Sequence, residues 1–225
     1  MTTEQVYRLS GGALLTGALL AAISSIASGA LLPDPSDPAV ASSANIALNT
    51  LSAVGSLLAL FGLPAMYLRH MGSGGAPWLV GVLLIGVTAV LFGIFMNLMG
   101  ALVFPVLAEE APQLLQLGPP AGFFVLFIVG GLANFLGALL MGIPMLSKRL
   151  YSHWCGIAML VEAAFALVGF AVNGPNSSGV LAQIFNIVSP LPLFAVLVWA
   201  GYELASGAAH SAPVLTRQRY GESAP

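Results

Sequence analysis

Gly122–Leu146 reads GFFVLFIVGGLANFLGALLMGIPML, 25 residues without a charge, and Lys148-Arg149 follows it. At about 1.5 Å per residue such a helix outlasts the roughly 30 Å hydrocarbon core of a bilayer, which needs about 20 apolar residues to cross. An amphipathic helix of a soluble domain would carry a polar face over that length. Outward from this stretch the pattern recurs in Ser10–Leu32, Asn45–Leu68, Trp78–Leu107, Trp154–Asn173 and Gly179–Leu204. The runs are long and continuous, whereas a membrane barrel shows short alternating segments. The reading is therefore an all-α fold, a polytopic membrane bundle of six transmembrane helices. Residues 1–205 form one bundle without a soluble domain. Residues 206–225 are expected to be a disordered cytoplasmic tail.

Charge supports the same conclusion. Charged residues are 6% of the chain and mean hydropathy is +0.97, against roughly 25% charged in a soluble domain. The basic residues fall on alternate connections: Arg8 before the first span, Arg69, Lys148 with Arg149, then Arg217 and Arg219. The other connections hold Asp34 and Asp37, then Glu109 and Glu110. The positive-inside rule places both termini in the cytoplasm. Trp78, Trp154 and Trp199 lie near the inner boundary, where Trp favours the headgroup level. The first span is too long for a signal-peptide core of 7–15 residues and reads as a retained anchor. The Ala-, Gly-, Leu- and Pro-rich composition points to a bacterial inner membrane. The outer connections are expected to include a Pro-punctuated turn at Pro33–Pro38 and a short interfacial helix around Gln113–Leu117. Asn176-Ser177-Ser178 matches a glycosylation sequon that a bacterial chain would not use.

Lipid is as apolar as leucine, so helices in it associate through small residues that let backbones approach. The first span carries a ridge of Ala13, Gly17, Ala21, Ser25 and Gly29. The fourth carries Gly130, Asn134, Gly137 and Met141 on one face, and the fifth Cys155, Ala158, Glu162, Ala166 and Gly169. Two spans end alike, in Gly62-Leu63-Pro64 and Gly142-Ile143-Pro144.

Glu162 is the ionisable residue deepest in a span. An acid at that depth costs at least about 2.5 kcal/mol and is by default a functional candidate. Asn134 lies on the preceding span at about the same height, so the two side chains are expected to share a hydrogen bond. Nearer the outside a second polar tier comprises Asn49, Asn97, Gln183 and Asn186, with Ser189 beside Pro190. Pro190 and Pro192 must bend or break the last span. Irregular backbone at that depth is tolerated only against protein or a wet cavity, so a polar pocket among spans three, five and six is one expectation. The other is a kink satisfied by its neighbours, with Glu162 and Asn134 acting as interhelical glue.

Other chemistry is set aside. His70, His153 and His210 lie outside the spans, so a buried Ser–His pair of the rhomboid type is excluded and no catalytic residue is assigned. Cys155 is the single cysteine, which rules out an internal disulfide. No metal-binding or cofactor motif occurs, and neither metal nor cofactor is expected. A net charge of -2 argues against nucleic acid. Tyr7-Arg8-Leu9-Ser10-Gly11-Gly12, Tyr67-Leu68-Arg69 and Ser152-His153-Trp154-Cys155-Gly156 together resemble a family of bacterial six-helix membrane proteins classed as a domain of unknown function. The resemblance implies fold and location and carries no functional residues. Two functions remain open. One is binding or moving an apolar or amphipathic small molecule, such as a lipid-like ligand, through a polar centre at Glu162 and Asn134, with Asn97, Gln183 and Asn186 contributing. The other is a non-catalytic accessory subunit docked on a membrane-protein partner. In both the surroundings are the lipid bilayer.

Overall fold

The computed structural model describes residues 2–31, 41–116, 121–172 and 180–207. Among these the chain is helical with no strand. The elements are α1 (Thr3–Leu31), α2 (Ser43–Arg69), α3 (Met71–Thr88), two π-helical stretches (Ala89–Met96 and Met99–Val103), α4 (Phe104–Glu110), α5 (Pro112–Gln116), α6 (Ala121–Ser147), α7 (His153–Val172), α8 (Val180–Val188) and α9 (Leu191–Ala205). Five stretches are long and apolar enough to cross a membrane: Thr3–Ala30, Ser43–Arg69, Met71–Glu110, Gly122–Ser147 and Ile184–Ala205. His153–Gly169 is a shorter apolar helix. The sequon, the Pro33–Pro38 turn and the tail from residue 208 lie outside the described residues.

The polar N-terminus belongs to the first helix. Thr2 and Gln5 form a reciprocal cap, Gln5 N donating to Thr2 Oγ1 at 3.3 Å and Thr2 N to Gln5 Oε1 at 2.9 Å. This is the capping-box arrangement, which satisfies two donors at a helix start. One turn on, Arg8 pairs with Glu4 at 2.8 Å. α2 is capped by Ser42, whose Oγ accepts from Asn45 N at 3.3 Å. A short helix is present where one was expected around Gln113–Leu117, as α5.

Close backbone approach organises the bundle. A methyl group at Gly55 of α2 would stand 2.7 Å from Ala21 N, and one at Gly17 would stand 2.5 Å from the Gly55 carbonyl oxygen. The middle of the α1 ridge, at Gly17 and Ala21, therefore faces α2, and Gly29 faces Ile187 of α8. The opposite side of α1 meets α9, where a methyl at Gly201 would lie 2.5 Å from Leu15 N. α6 packs on α3 and α7. Gly81 leaves room for Met141, and Gly142 lets the Gly156 carbonyl come within 3.2 Å of where a Cβ would sit. Both Gly-x-Pro sequences thus sit at crossings, Gly62 against Leu14 and Gly142 against α7, and Pro64 and Pro144 lie within continuous helices. Leu14, Ala18, Met66, Met141, Met145, Met159, Ala200 and Trp78 are fully buried. Methionine is unbranched and adapts to irregular gaps between helices. Phe61, Leu83, Leu102, Ile23 and Leu167 are exposed, a surface suited to hydrocarbon and not to water.

Two elements depart from the sequence reading. The third span is interrupted: its middle is π-helical, and at its start Gly75 has φ 73°, a backbone region that glycine enters without the steric cost of a Cβ. Trp78, read as a headgroup anchor, has no exposed surface. Its indole lies inside the bundle and donates from Nε1 to the Tyr67 carbonyl at 3.4 Å. Trp154 and Trp199 are exposed.

Candidate functional site

α7 carries Glu162 on its small-residue face, and the side chain is 2% exposed. Asn134 of α6 donates from Nδ2 to Glu162 Oε1 at 2.7 Å, the hydrogen bond expected from the sequence. The second carboxylate oxygen, Oε2, accepts from the backbone N–H of Leu193 at 3.4 Å. That contact follows from the prolines. The last span breaks at Ser189-Pro190, and α9 restarts at Leu191 with Pro192 in its first turn. The opening N–H groups of a helix lack intrahelical partners, and proline removes one of them. Leu193 N–H is such an orphan, and Glu162 reaches it from the neighbouring helix. A carboxylate at a helix N-terminus also meets the favourable end of the helix dipole.

The pair borders a cavity of about 330 Å³. Its polar wall includes Ser52 and Ser56 of α2, Thr88, Asn97, Asn134, Glu162, Asn186 and Ser189. Its apolar wall includes Phe92, Phe127, Phe165, Phe185 and Phe194. Phe92 lies tilted against Phe127 at 5.5 Å between centroids, and Phe165 meets Phe185 edge-on at 5.8 Å. The small residues Ala21, Gly93, Gly131, Ala166 and Gly169 make the space. Glu162 is the only charged residue among the described lining.

Part of the outer tier joins the inner one here. Asn97 and Asn186 share the cavity with Glu162 and Asn134. Gln183 lies in α8, and its side chain falls outside the described residues. Asn49 borders a different contact: its Nδ2 donates to Asn45 Oδ1 at 2.7 Å, and its amide fills the space beside Gly100. The walls also draw on more helices than spans three, five and six, with Ala21 and Ser25 from α1 and Ser52 and Ser56 from α2.

The π-helical stretches explain Asn97. A π turn inserts a residue and disturbs the regular carbonyl partners, commonly at functional sites. Asn97 Nδ2 donates to the carbonyls of Phe92 at 3.0 Å and Gly93 at 2.8 Å. Its amide N–H groups are thus spent on the helix that carries it.

At the end of the bundle that holds Arg69 and Lys148, a second polar cluster was not legible. Arg69 pairs with Glu203 at 3.1 Å and lies over the Tyr151 ring at 5.3 Å. Trp199 Nε1 donates to Glu203 Oε1 at 2.6 Å, and Lys148 Nζ donates to the Gly74 carbonyl at 3.1 Å. His70 packs between Trp78 and Tyr151, its ring centroid 4.6 Å from that of Tyr151. Burial, and then the neighbouring Arg69 guanidinium, pull His70 down to about 4. The available signal was Glu203, an acid at an end otherwise read as basic. These contacts place Arg69, Lys148 and Glu203 at one end of the bundle.

Fold and site together define an all-helical bundle with apolar helices long enough to cross a membrane and a cavity lined in part by polar groups. No family, curated protein or solved structure matches the chain, so the resemblance to bacterial six-helix proteins rests on sequence pattern alone.

Proposed function

We propose that this chain is a six-span protein of the bacterial inner membrane, with both termini cytoplasmic, that binds a small apolar or amphipathic molecule in the cavity beside Glu162 and Asn134. The observation that carries the reading is the cavity itself, which reaches the buried carboxylate. A pair serving only as glue needs no space beside it. Ligand sites are mostly apolar, of roughly 300–1,000 Å³, with a few convergent polar groups, and this cavity has that character. The accessory-subunit reading calls instead for a closed core and an exposed Gly/Ala ridge; on α1, Gly17 and Ala21 pack against α2.

Native mass spectrometry of the purified protein equilibrated with a bacterial lipid extract tests the reading. A 1:1 small-molecule adduct is expected. Ala166→Phe, which fills the cavity, should abolish it. Leu167→Phe, on the exposed side of α7, should leave it. An adduct unaffected by Ala166→Phe, or none on the unmodified protein, overturns the assignment.

A further inference from the structure

Resting on that reading, we propose that the ligand of the cavity is an organic ammonium ion: a protonated amine whose N–H groups meet Glu162 and Asn134 and whose apolar body lies among the phenylalanines. The argument is one of unmatched acceptors. The Asn134 amide N–H is committed to Glu162 Oε1, and Asn134 Oδ1 is buried without a hydrogen-bond partner. Leaving a buried acceptor unpaired is costly, so that oxygen invites a donor. The Asn97 amide N–H groups are taken by the Phe92 and Gly93 carbonyls, and the Thr88 hydroxyl donates to the Leu84 carbonyl at 3.1 Å. What Asn97 and Thr88 have left to offer is also acceptor capacity.

Charge points the same way. Among the described residues no Lys, Arg or His lines the cavity, so Glu162 has no cationic partner there. Acids inside membranes ordinarily pair with a counter-charge, and a bound ammonium supplies it. Phe92, Phe127, Phe165, Phe185 and Phe194 complete the match, because aromatic faces attract cations within about 6 Å and the attraction strengthens when water is excluded. An anionic headgroup would meet only repulsion from the carboxylate. A neutral alcohol could donate one hydrogen bond but would leave the carboxylate uncompensated.

Calorimetric titration of the full chain in detergent with three ligands of one shape separates these cases: phenethylammonium, phenethyl alcohol and phenylpropanoate. The ammonium is expected to bind at least about tenfold more tightly than the alcohol, the margin of a charge-assisted hydrogen bond, and the carboxylate not at all. Glu162→Gln should bring ammonium and alcohol to within about threefold of each other, a difference near 0.6 kcal/mol. Because the three ligands are compared on the unmodified protein, the test stands even if that variant fails to fold. Equal binding of ammonium and alcohol, or preference for the anion, overturns the cation assignment while leaving a ligand-binding cavity. No binding of any of the three overturns both.

Discussion

Glu162 accepts two hydrogen bonds from two helices, one from a side chain and one from a helix start. Removing the acceptor leaves both the Asn134 amide and the Leu193 N–H buried without partners. Glu162→Leu should therefore lower stability by about 1–3 kcal/mol for each donor left unsatisfied. Glu162→Gln keeps an oxygen that can accept and should stay closer to the original. Melting of both variants in detergent checks this, and equal melting temperatures would show that the two contacts contribute nothing. The Asn134 bond was legible because two polar residues sit on small-residue faces of consecutive helices at matching height. The Leu193 bond was not, because it depends on how α9 restarts after its prolines. His70 offers a second prediction. Its ordinary value of 6.5 is lowered to about 4, so the folded protein keeps it neutral where the unfolded chain protonates. Stability from this residue is full above about pH 6.5 and is lost as pH falls toward 4. The difference in melting temperature between the unmodified protein and His70→Gln should change over that window and stay level above it.

The same reasoning applies to whole helices. The α1 ridge reads from the sequence as a packing surface, and its partner is α2, with Ala21 at 1% exposure against Gly55. Ala21→Leu should cost about 1–3 kcal/mol by overpacking, whereas Ile23→Leu, on the exposed side of α1, should be nearly silent. A silent Ala21→Leu in a detergent melt would mean that the α1–α2 contact is loose. The break of the last span was legible, since Pro190 and Pro192 leave few alternatives. The π-helical middle of the third span was not. Its residues, from Ala89 to Val103, are ordinary helix formers in lipid, and the widened turns go with close contacts that only the folded bundle supplies, Gly93 against Ser56 and Gly100 against Asn49. Trp78 was misplaced for a related reason. Its position near a helix end says where it lies along the span, and not which way the indole faces.

At the scale of the whole molecule, Arg69, Lys148 and Glu203 share one end, and the N-terminal turns of α1 meet the last turn of α9, where a methyl at Gly11 would touch Leu204 Cβ at 2.6 Å. If the positive-inside rule orients this bundle, that end is cytoplasmic. Cysteine introduced at Ser73 should be shielded from an impermeant thiol reagent in intact cells, and cysteine at Ser36 or Ser177 should be labelled. Native Cys155 is buried, so the background should be low. The reverse pattern would invert the topology and with it the side from which the cavity is reached.

Composition and the length of the apolar runs were enough to read helices long and apolar enough to cross a membrane, because hydrocarbon leaves the backbone few other solutions. The spacing of small residues marked which faces pack, and depth along two neighbouring helices was enough to pair Glu162 with Asn134. What the tertiary structure decided is that Asn97, Asn186 and Ser189 of the outer tier line the same cavity as Glu162 and Asn134, while Asn49 does not. They share a cavity because the last span breaks, the third widens, and small residues on α1, α6 and α7 leave space between them. The physical reason is that a cavity belongs to no single helix: it is the volume that several packed faces fail to fill, and that volume is set by their mutual arrangement.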